Sequence, residues 1–329
     1  MATSRAVDRP ERDDYYVLAI TAPGQGAQTP GFLAEWLQID SFADRIAWLS
    51  AVSGLDLARY GTEADAETIR DTAIAQPLLV ASAIAISHEL FGADQAPCGP
   101  ADVVAGHSVG EIGAAVLSGV LSAESAMVFV RERGQGMAAA SAVRPTGMSA
   151  VVAGKPDEVL AAIEAAGLVA ANNNGSGQVV AAGTLEQLQQ LADNPPARAR
   201  VIPLQVAGAF HTVHMAPAKA RLELLARSIP TATPLTRLLS NRDGAVVTSG
   251  ADALERMVNQ VANPVRWDLC MATLADLGVT GLLELAPAGT LAKIATRNLK
   301  GVETFQLDTP DQLDEARAFV AAHATTESE

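Results

Sequence analysis

Apolar positions along this chain change their spacing several times, and each change marks an element. Residues 15–22 are rich in β-formers and end at Pro23-Gly24-Gln25-Gly26, which predicts a buried strand delivered into a Gly-rich turn. Residues 42–53 and 77–90 carry apolar side chains at helical spacing, with Pro77 suited to a first helical turn. After a loop at 97–100, Val103-Val104-Ala105 reads as a strand, Gly106-His107-Ser108-Val109-Gly110 as a sharp turn, and the pattern from near Glu111 as a helix. A second helix is expected after Ser122, a plausible N-cap, as far as about Ala140. Strand, helix and strand in this order imply a mostly parallel sheet with helices on both faces.

The texture changes at Gly147. Strands at 148–153, 168–171, 178–182 and 200–206 alternate with helices at 155–166 and 185–192, giving the order βαββαβ. That is the split βαβ, ferredoxin-like pattern, and it suits a small domain inserted into a larger one. An amphipathic helix through Leu225, a helix ending at Gln260 and strands at 281–285 and 302–307 complete the main sheet. The expected fold class is therefore α/β: a large α/β-hydrolase-like domain at 15–145 and 208–309, and a small domain at 146–207. A disordered lead-in at 1–14 and a C-terminal helix with a polar tail at 310–329 flank them.

Charge narrows the partners. Lys and Arg number 23 against 37 Asp and Glu, a formal net charge of -14, which disfavours nucleic acid and anionic membranes. Cys98 and Cys270 have no metal or redox spacing, and two cysteines do not make a disulfide scaffold, so a reducing compartment fits. Seven charged residues crowd the first fourteen positions, against a secretory signal, and the best apolar run is broken at Gln76 and Pro77, against a membrane span. A cytoplasmic protein is expected.

The candidate chemistry centres on Ser108. In G-x-S-x-G, a tight strand-to-helix turn raises the hydroxyl above the sheet edge and frees N–H groups at the helix start to face a developing oxyanion. A Gly-rich turn needs no chemistry, however, so the motif alone leaves a plain turn open. The earlier turn at Gly24 and Gly26 lacks the third glycine of a dinucleotide fingerprint, Thr29 standing there. Arg131 and Arg133 lie about 200° apart on their helix, and Arg133 shares its face with Ala126, Phe129, Val130 and Met137. An arginine carried inside needs a paired anion, supplied either by a buried Asp or Glu or by a substrate carboxylate. His211 and His214 are the remaining candidates. Their spacing could suggest a metal, but no suitable third ligand is near, and a base for Ser108 is the sharper idea. Asn172-Asn173-Asn174-Gly175 is a turn signal first, and Lys293, Arg297 and Lys300 form an i, i+4, i+7 basic stripe.

Six motifs in order, Pro23-Gly24-Gln25-Gly26-Ala27-Gln28, Gly106-His107-Ser108-Val109-Gly110-Glu111, Arg133-Gly134 before Met137, Asn172 with Asn174 and Gln178, Phe210-His211, and Gln260 before Asn263-Pro264-Val265, give the chain a likeness. From about Tyr15 to Leu307 it resembles the malonyl-CoA:acyl carrier protein transacylases of fatty acid synthesis and the related acyltransferase domains of polyketide synthases. The resemblance implies Ser108 as nucleophile, His211 as general base and acid, and a backbone carbonyl near Gln260 in place of a third carboxylate. It implies Gln25 and Val109 N–H groups as an oxyanion hole and Arg133 as the partner of the malonyl carboxylate. Phe210 would fill the space an α-methyl group needs, and His107, Asn172, Asn174 and Gln260 would line the substrate site. Malonyl-CoA and acyl carrier protein are the implied partners, with Lys293, Arg297 and Lys300 as a carrier dock, and neither metal nor cofactor is called for. A serine hydrolase of thioesters or lipids, or a non-catalytic carrier-binding protein, are the alternatives. Ala27, where Ser is common, and Gly208-Ala209 before Phe210 are the departures.

Overall fold

The computed structural model describes residues 16–92 and 96–324 and is a mixed α/β fold, with two sheets and twelve α-helices among those residues. The expected lead-in at 1–14 and the tail at 325–329 lie outside the described residues. In chain order the strands are β1 (Leu18–Ala22), β2 (Val103–Gly106), β3 (Thr146–Val152), β4 (Val169–Asn173), β5 (Gln178–Thr184), β6 (Arg200–Pro203), β7 (Arg237–Leu239), β8 (Val246–Val247), β9 (Val265–Arg266), β10 (Gly281–Leu285) and β11 (Glu303–Leu307).

The larger sheet runs β11-β10-β1-β2-β7-β8 and is parallel except for the antiparallel β7–β8 pair at its edge. Both β1 and β2 are buried at every position, as apolar runs covered by helices on two faces must be. The smaller sheet runs β6-β3-β5-β4-β9, antiparallel except where β4 meets β9. Helices Pro156–Ala165 and Leu185–Asp193 fall between its strands in the expected order. Strand β9 was not expected there. It comes from the chain after Gln260, yet pairs Val265 with Asn172 and Arg266 with Asn173, so that one segment stitches the site helix Gly250–Gln260 to the smaller sheet.

The second helix differs from expectation as well. It starts at Thr72, capped by the Asp71 carboxylate accepting from Ala73 N at 2.8 Å, so Pro77 sits inside it and not at its first turn. Pro77 then deprives the Ala73 carbonyl of its helical donor, a loss that is small only near a helix start. At 20 residues, Thr72–Phe91 is long and apolar enough to cross a membrane by length and composition, despite Gln76 and Pro77. Here 78% of its most apolar window is buried, and it packs against helices Asp40–Ser53, Gly110–Leu117 and Ala123–Ser141 as the core helix. A Cβ on Gly134 would lie 2.8 Å from the Thr72 carbonyl oxygen. The missing side chain therefore lets Ala123–Ser141 close on the start of Thr72–Phe91, which places Arg133 beside Gln76.

Candidate active site

Ser108 sits where β2 turns into helix Gly110–Leu117, at φ 54, a left-handed conformation that costs a non-glycine residue about 1–3 kcal/mol. The turn is forced by its neighbours. A Cβ on Gly106 would come within 2.0 Å of Gly110 backbone, and one on Gly110 within 2.2 Å of the Ala22 carbonyl oxygen. Asn241, fully buried just beyond β7, holds the strained segment at both ends: its Oδ1 accepts from Ser108 N at 2.7 Å and its Nδ2 donates to Gly106 O at 2.8 Å. The Gly-rich turn after β1 packs directly on this one, since a Cβ on Gly24 would meet His107 O at 2.7 Å. Gln25 is thereby brought alongside, its Nε2 donating to Arg70 O and Thr72 Oγ1, both at 3.2 Å. Val109 precedes the helix, where backbone N–H groups have no intrahelical acceptor.

His211 is also in a left-handed conformation, φ 61, and is 3% exposed. Its Nε2 lies 2.8 Å from Ser108 Oγ and its Nδ1 2.8 Å from the Gln260 carbonyl oxygen. A carbonyl only accepts, so Nδ1 carries the proton and Nε2 is left to accept from the serine. Burial, then the nearby Arg133 charge, depress the imidazole to about 3, which keeps it neutral at ordinary pH. His214 does not join it. That ring accepts from the Arg144 guanidinium at 2.8 Å, so the two histidines do not converge as metal ligands would.

Arg133 is 1% exposed, while Arg131 remains half-buried near Glu132. The acceptors that hold Arg133 are amide oxygens: Gln76 Oε1 at 2.7 Å and Gln260 Oε1 at 2.8 Å, with Ser108 Oγ further off at 3.4 Å. Burial lowers it to about 10, so it stays charged. Gln260 is the hub, its Nε2 reaching Glu111 Oε2 at 2.5 Å and Ser108 O and Asn241 Oδ1 at 3.1 Å. Three of these residues were not singled out as functional in the sequence. Gln76 and Glu111 each left a signal, a polar residue inside an apolar helical run; Asn241, after a three-residue strand, left none.

Further out, His107 does have a partner, Asn174 Oδ1 at 3.0 Å from Nε2, and its ring meets Trp267 edge-on at 5.5 Å. Asn172 is on β4, which ends just before Asn174, and its buried Oδ1 makes no hydrogen bond among the described residues. Phe210 is 6% exposed. Lys293 and Arg297 are exposed on helix Thr290–Asn298, but Lys300 lies beyond its end, so the three are not one helical stripe. The end of that helix is fastened to the Asn174 turn, Ser176 Oγ donating to Arg297 O at 3.1 Å and Asn298 Nδ2 to Asn174 O at 3.3 Å. A cavity of about 550 Å³ lined by Arg70, Thr72, Ser141 and Gln205 opens beside Gln25. Together these groups can take a proton from a serine, hold an anion next to it and exclude water from both.

A family model described as acyl transferase domain matches residues 21–326. The chain is 50% identical over 299 residues to the malonyl CoA-acyl carrier protein transacylase of Mycobacterium bovis, covering 91% of this chain and 99% of that one. It is 31% identical to the protein of the same description from Bacillus subtilis, covering 90% and 95%. The crystal structure of MCAT from Mycobacterium tuberculosis superposes with a TM-score of 0.88 at 50% identity, over 92% of this chain and all of that one (100%). A malonyl-transacylase solved in complex with its type II PKS acyl-carrier protein gives 0.85 at 28% identity, over 92% and 99%.

Proposed function

Because the chain belongs to the acyl transferase domain family, we propose that it moves a malonyl group from malonyl-CoA to the phosphopantetheine thiol of acyl carrier protein, through an ester on Ser108. The observation that carries the acid specificity is Arg133, a buried guanidinium held only by neutral amides and 3.4 Å from the serine oxygen. A site for neutral acyl chains gains nothing from a charge buried at that cost.

Arg133 would pair with the malonyl carboxylate and fix the thioester over Ser108. Ser108 Oγ attacks the carbonyl carbon as its proton passes to His211 Nε2, while the Gln260 carbonyl accepts from Nδ1–H and steadies the imidazolium. The N–H groups of Gln25 and Val109 would receive the oxyanion, a donor of this kind contributing on the order of 100- to 1000-fold in rate. The C–S bond breaks and the CoA sulfur takes the proton from His211. The carrier thiol then gives its proton to His211, attacks the ester, and returns Ser108 as the alcohol. Phe210 fills the space of an α-methyl group, and His107, Asn172 and Asn174 line the approach.

The carrier would dock on Lys293, Arg297 and Lys300, at the rim that the Asn174 turn shares with helix Thr290–Asn298. We read 15–145 with 208–309 as an α/β-hydrolase-like domain, 146–207 as a ferredoxin-like insertion, whose β6-β3-β5-β4 order supports it, and 310–329 as a C-terminal helix and tail. The buried, unpaired thiols of Cys98 and Cys270 fit a cytoplasmic setting. The deciding experiment is intact-mass measurement after incubation with malonyl-CoA, with and without acyl carrier protein. A malonyl adduct absent in Ser108→Ala and discharged onto the carrier supports transfer; loss to water alone means hydrolysis, and no adduct means a binding protein.

A further inference from the structure

Glu111 is a carboxyl 3% exposed in the first turn of helix Gly110–Leu117, and it takes no part in the steps above. Its two oxygens meet the N–H donors of Asn241 and Gln260, and the Ser240 hydroxyl also hydrogen-bonds to it. Oε1 accepts from Asn241 N at 3.2 Å and Oε2 from Gln260 Nε2 at 2.5 Å. An ionised carboxylate offers a full acceptor on both sides; a protonated acid keeps one strong acceptor and accepts only weakly through its O–H oxygen, and a glutamine must present a donor to one of them. The consequence reaches further through Gln260. With Glu111, an acceptor, at one end of its side chain and Arg133, a donor, at the other, the amide has a single satisfied orientation: Nε2 toward Glu111 and Ser108 O, Oε1 toward Arg133. Turning it over would set N–H against guanidinium N–H.

We propose that Glu111 is a positioning residue whose ionised carboxylate orients the Gln260 amide, and through it locks the Arg133 guanidinium and the strained Ser108 turn into one unit. The inference rests on the assignment of Ser108 and Arg133 given above. The charged or titratable groups facing Glu111 are few. Arg133 faces it from helix Ala123–Ser141, and the Cys270 thiol, pushed well up by burial and by Glu111 itself, from helix Trp267–Asp276. Asn241, Gln260 and Ser240 supply the remaining hydrogen bonds. Burial raises the carboxyl to about 7, against the opposing pull of those bonds and of Arg133.

Two opposed trends follow. A folded-state value raised from 4.5 to about 7 makes the protein more stable as Glu111 takes up its proton, a gain complete below 4.5 and lost as pH rises through about 7. Ser108 loading runs the other way, because the protonated acid unlatches Gln260. In the free site His211 is held near 3, outside this window, and because Glu111→Gln keeps His211, a pH slope lost in that variant belongs to Glu111.

The test is the single-turnover rate of malonyl-Ser108 formation between about pH 5.5 and 8.5, with a thermal melt at each pH, for the wild type and Glu111→Gln. The wild type is expected to lose about tenfold in rate per unit below about pH 7 while its Tm holds or rises. Glu111→Gln is expected to be flat with pH, about tenfold or more slower at pH 8, and no less stable there. A wild-type rate that stays level through pH 7, or a variant that loads at the wild-type rate, overturns the proposal. Should the variant not fold, the wild-type rate and melting profiles decide alone. No malonyl adduct at any pH would overturn the transferase reading itself, which is a different failure.

Discussion

Replacing Arg133 by alanine removes the cation that, among the described residues, is buried beside Ser108. If that guanidinium forms a forked pair with the malonyl carboxylate, two charge-assisted hydrogen bonds disappear, each contributing about 1.5–3 kcal/mol. The sum, about 3–6 kcal/mol, corresponds to a fall in malonyl kcat/KM of roughly 100- to 10,000-fold. Acetyl transfer has no carboxylate to lose, and the Arg133 charge is the second-largest influence depressing His211 after burial. Its removal strengthens the base, so acetyl loading is expected to hold or increase. Stability is a separate matter. The variant leaves the Gln76 and Gln260 amide oxygens without their donor, at about 1–3 kcal/mol each, and melts must accompany the kinetics. Rapid quench with intact-mass detection, on malonyl-CoA and acetyl-CoA in parallel, reads both rates. Equal loss of the two would mean that Arg133 only supports the fold.

Phe210→Ala should improve methylmalonyl loading relative to malonyl by opening space beside His211, at a cost in stability of about 3–5 kcal/mol for so buried a ring; an unchanged selectivity ratio would remove Phe210 from the specificity account. Reversing the charges of Lys293, Arg297 and Lys300 should raise KM for acyl carrier protein, more so at low salt, and leave malonyl-CoA loading untouched; a carrier KM equal to wild type disposes of the dock. Gly134→Ala places a methyl 2.8 Å from the Thr72 carbonyl oxygen, so the two helices must separate and draw Arg133 from Gln76. Malonyl KM should rise with a lowered Tm, and a fully wild-type malonyl KM would show that the helix spacing does not set the guanidinium.

The sequence carried the parts of this fold whose signal is local. Strands β1 and β2 were legible as apolar runs, Ser122 caps its helix by accepting from Ser125 N as expected, and β10 has the predicted bounds. Helical spacing alone put Arg133 on the inward face, and the structure buries it while Arg131 stays half-buried. What escaped was set by distant partners. The two-residue strand β9 exists only because β4 is there to pair with it, and the chain just beyond β7 carries the Asn241 that restrains Ser108 from 133 positions away. Pro77 was misplaced because its local preference for a helix start was overridden by Asp71, which caps the helix earlier, and by burial of almost the whole element. Gln76 and Glu111 looked like interruptions of apolar runs, and Gln260 stood alone; only their convergence around one guanidinium and one serine turn makes them a network.

Three charges explain why such a network is worth its desolvation. In the free site, Arg133 faces Gln76 and Gln260 with no carboxylate at hydrogen-bond distance among the described residues, Glu111 behind Gln260 being the compensating charge. Burial first, and the Arg133 charge second, hold His211 far below its ordinary basicity, so the dyad is poorly able to deprotonate Ser108 while the site is empty. In the proposed transfer, a substrate carboxylate on Arg133 would offset that charge, and the imidazole would regain part of its basicity as the thioester comes within reach of the serine. An acyl group without a charge would leave the field of Arg133 in place. On this reading the guanidinium would select the acid twice, once by holding it and once by withholding a competent base from anything that does not bring a negative charge of its own.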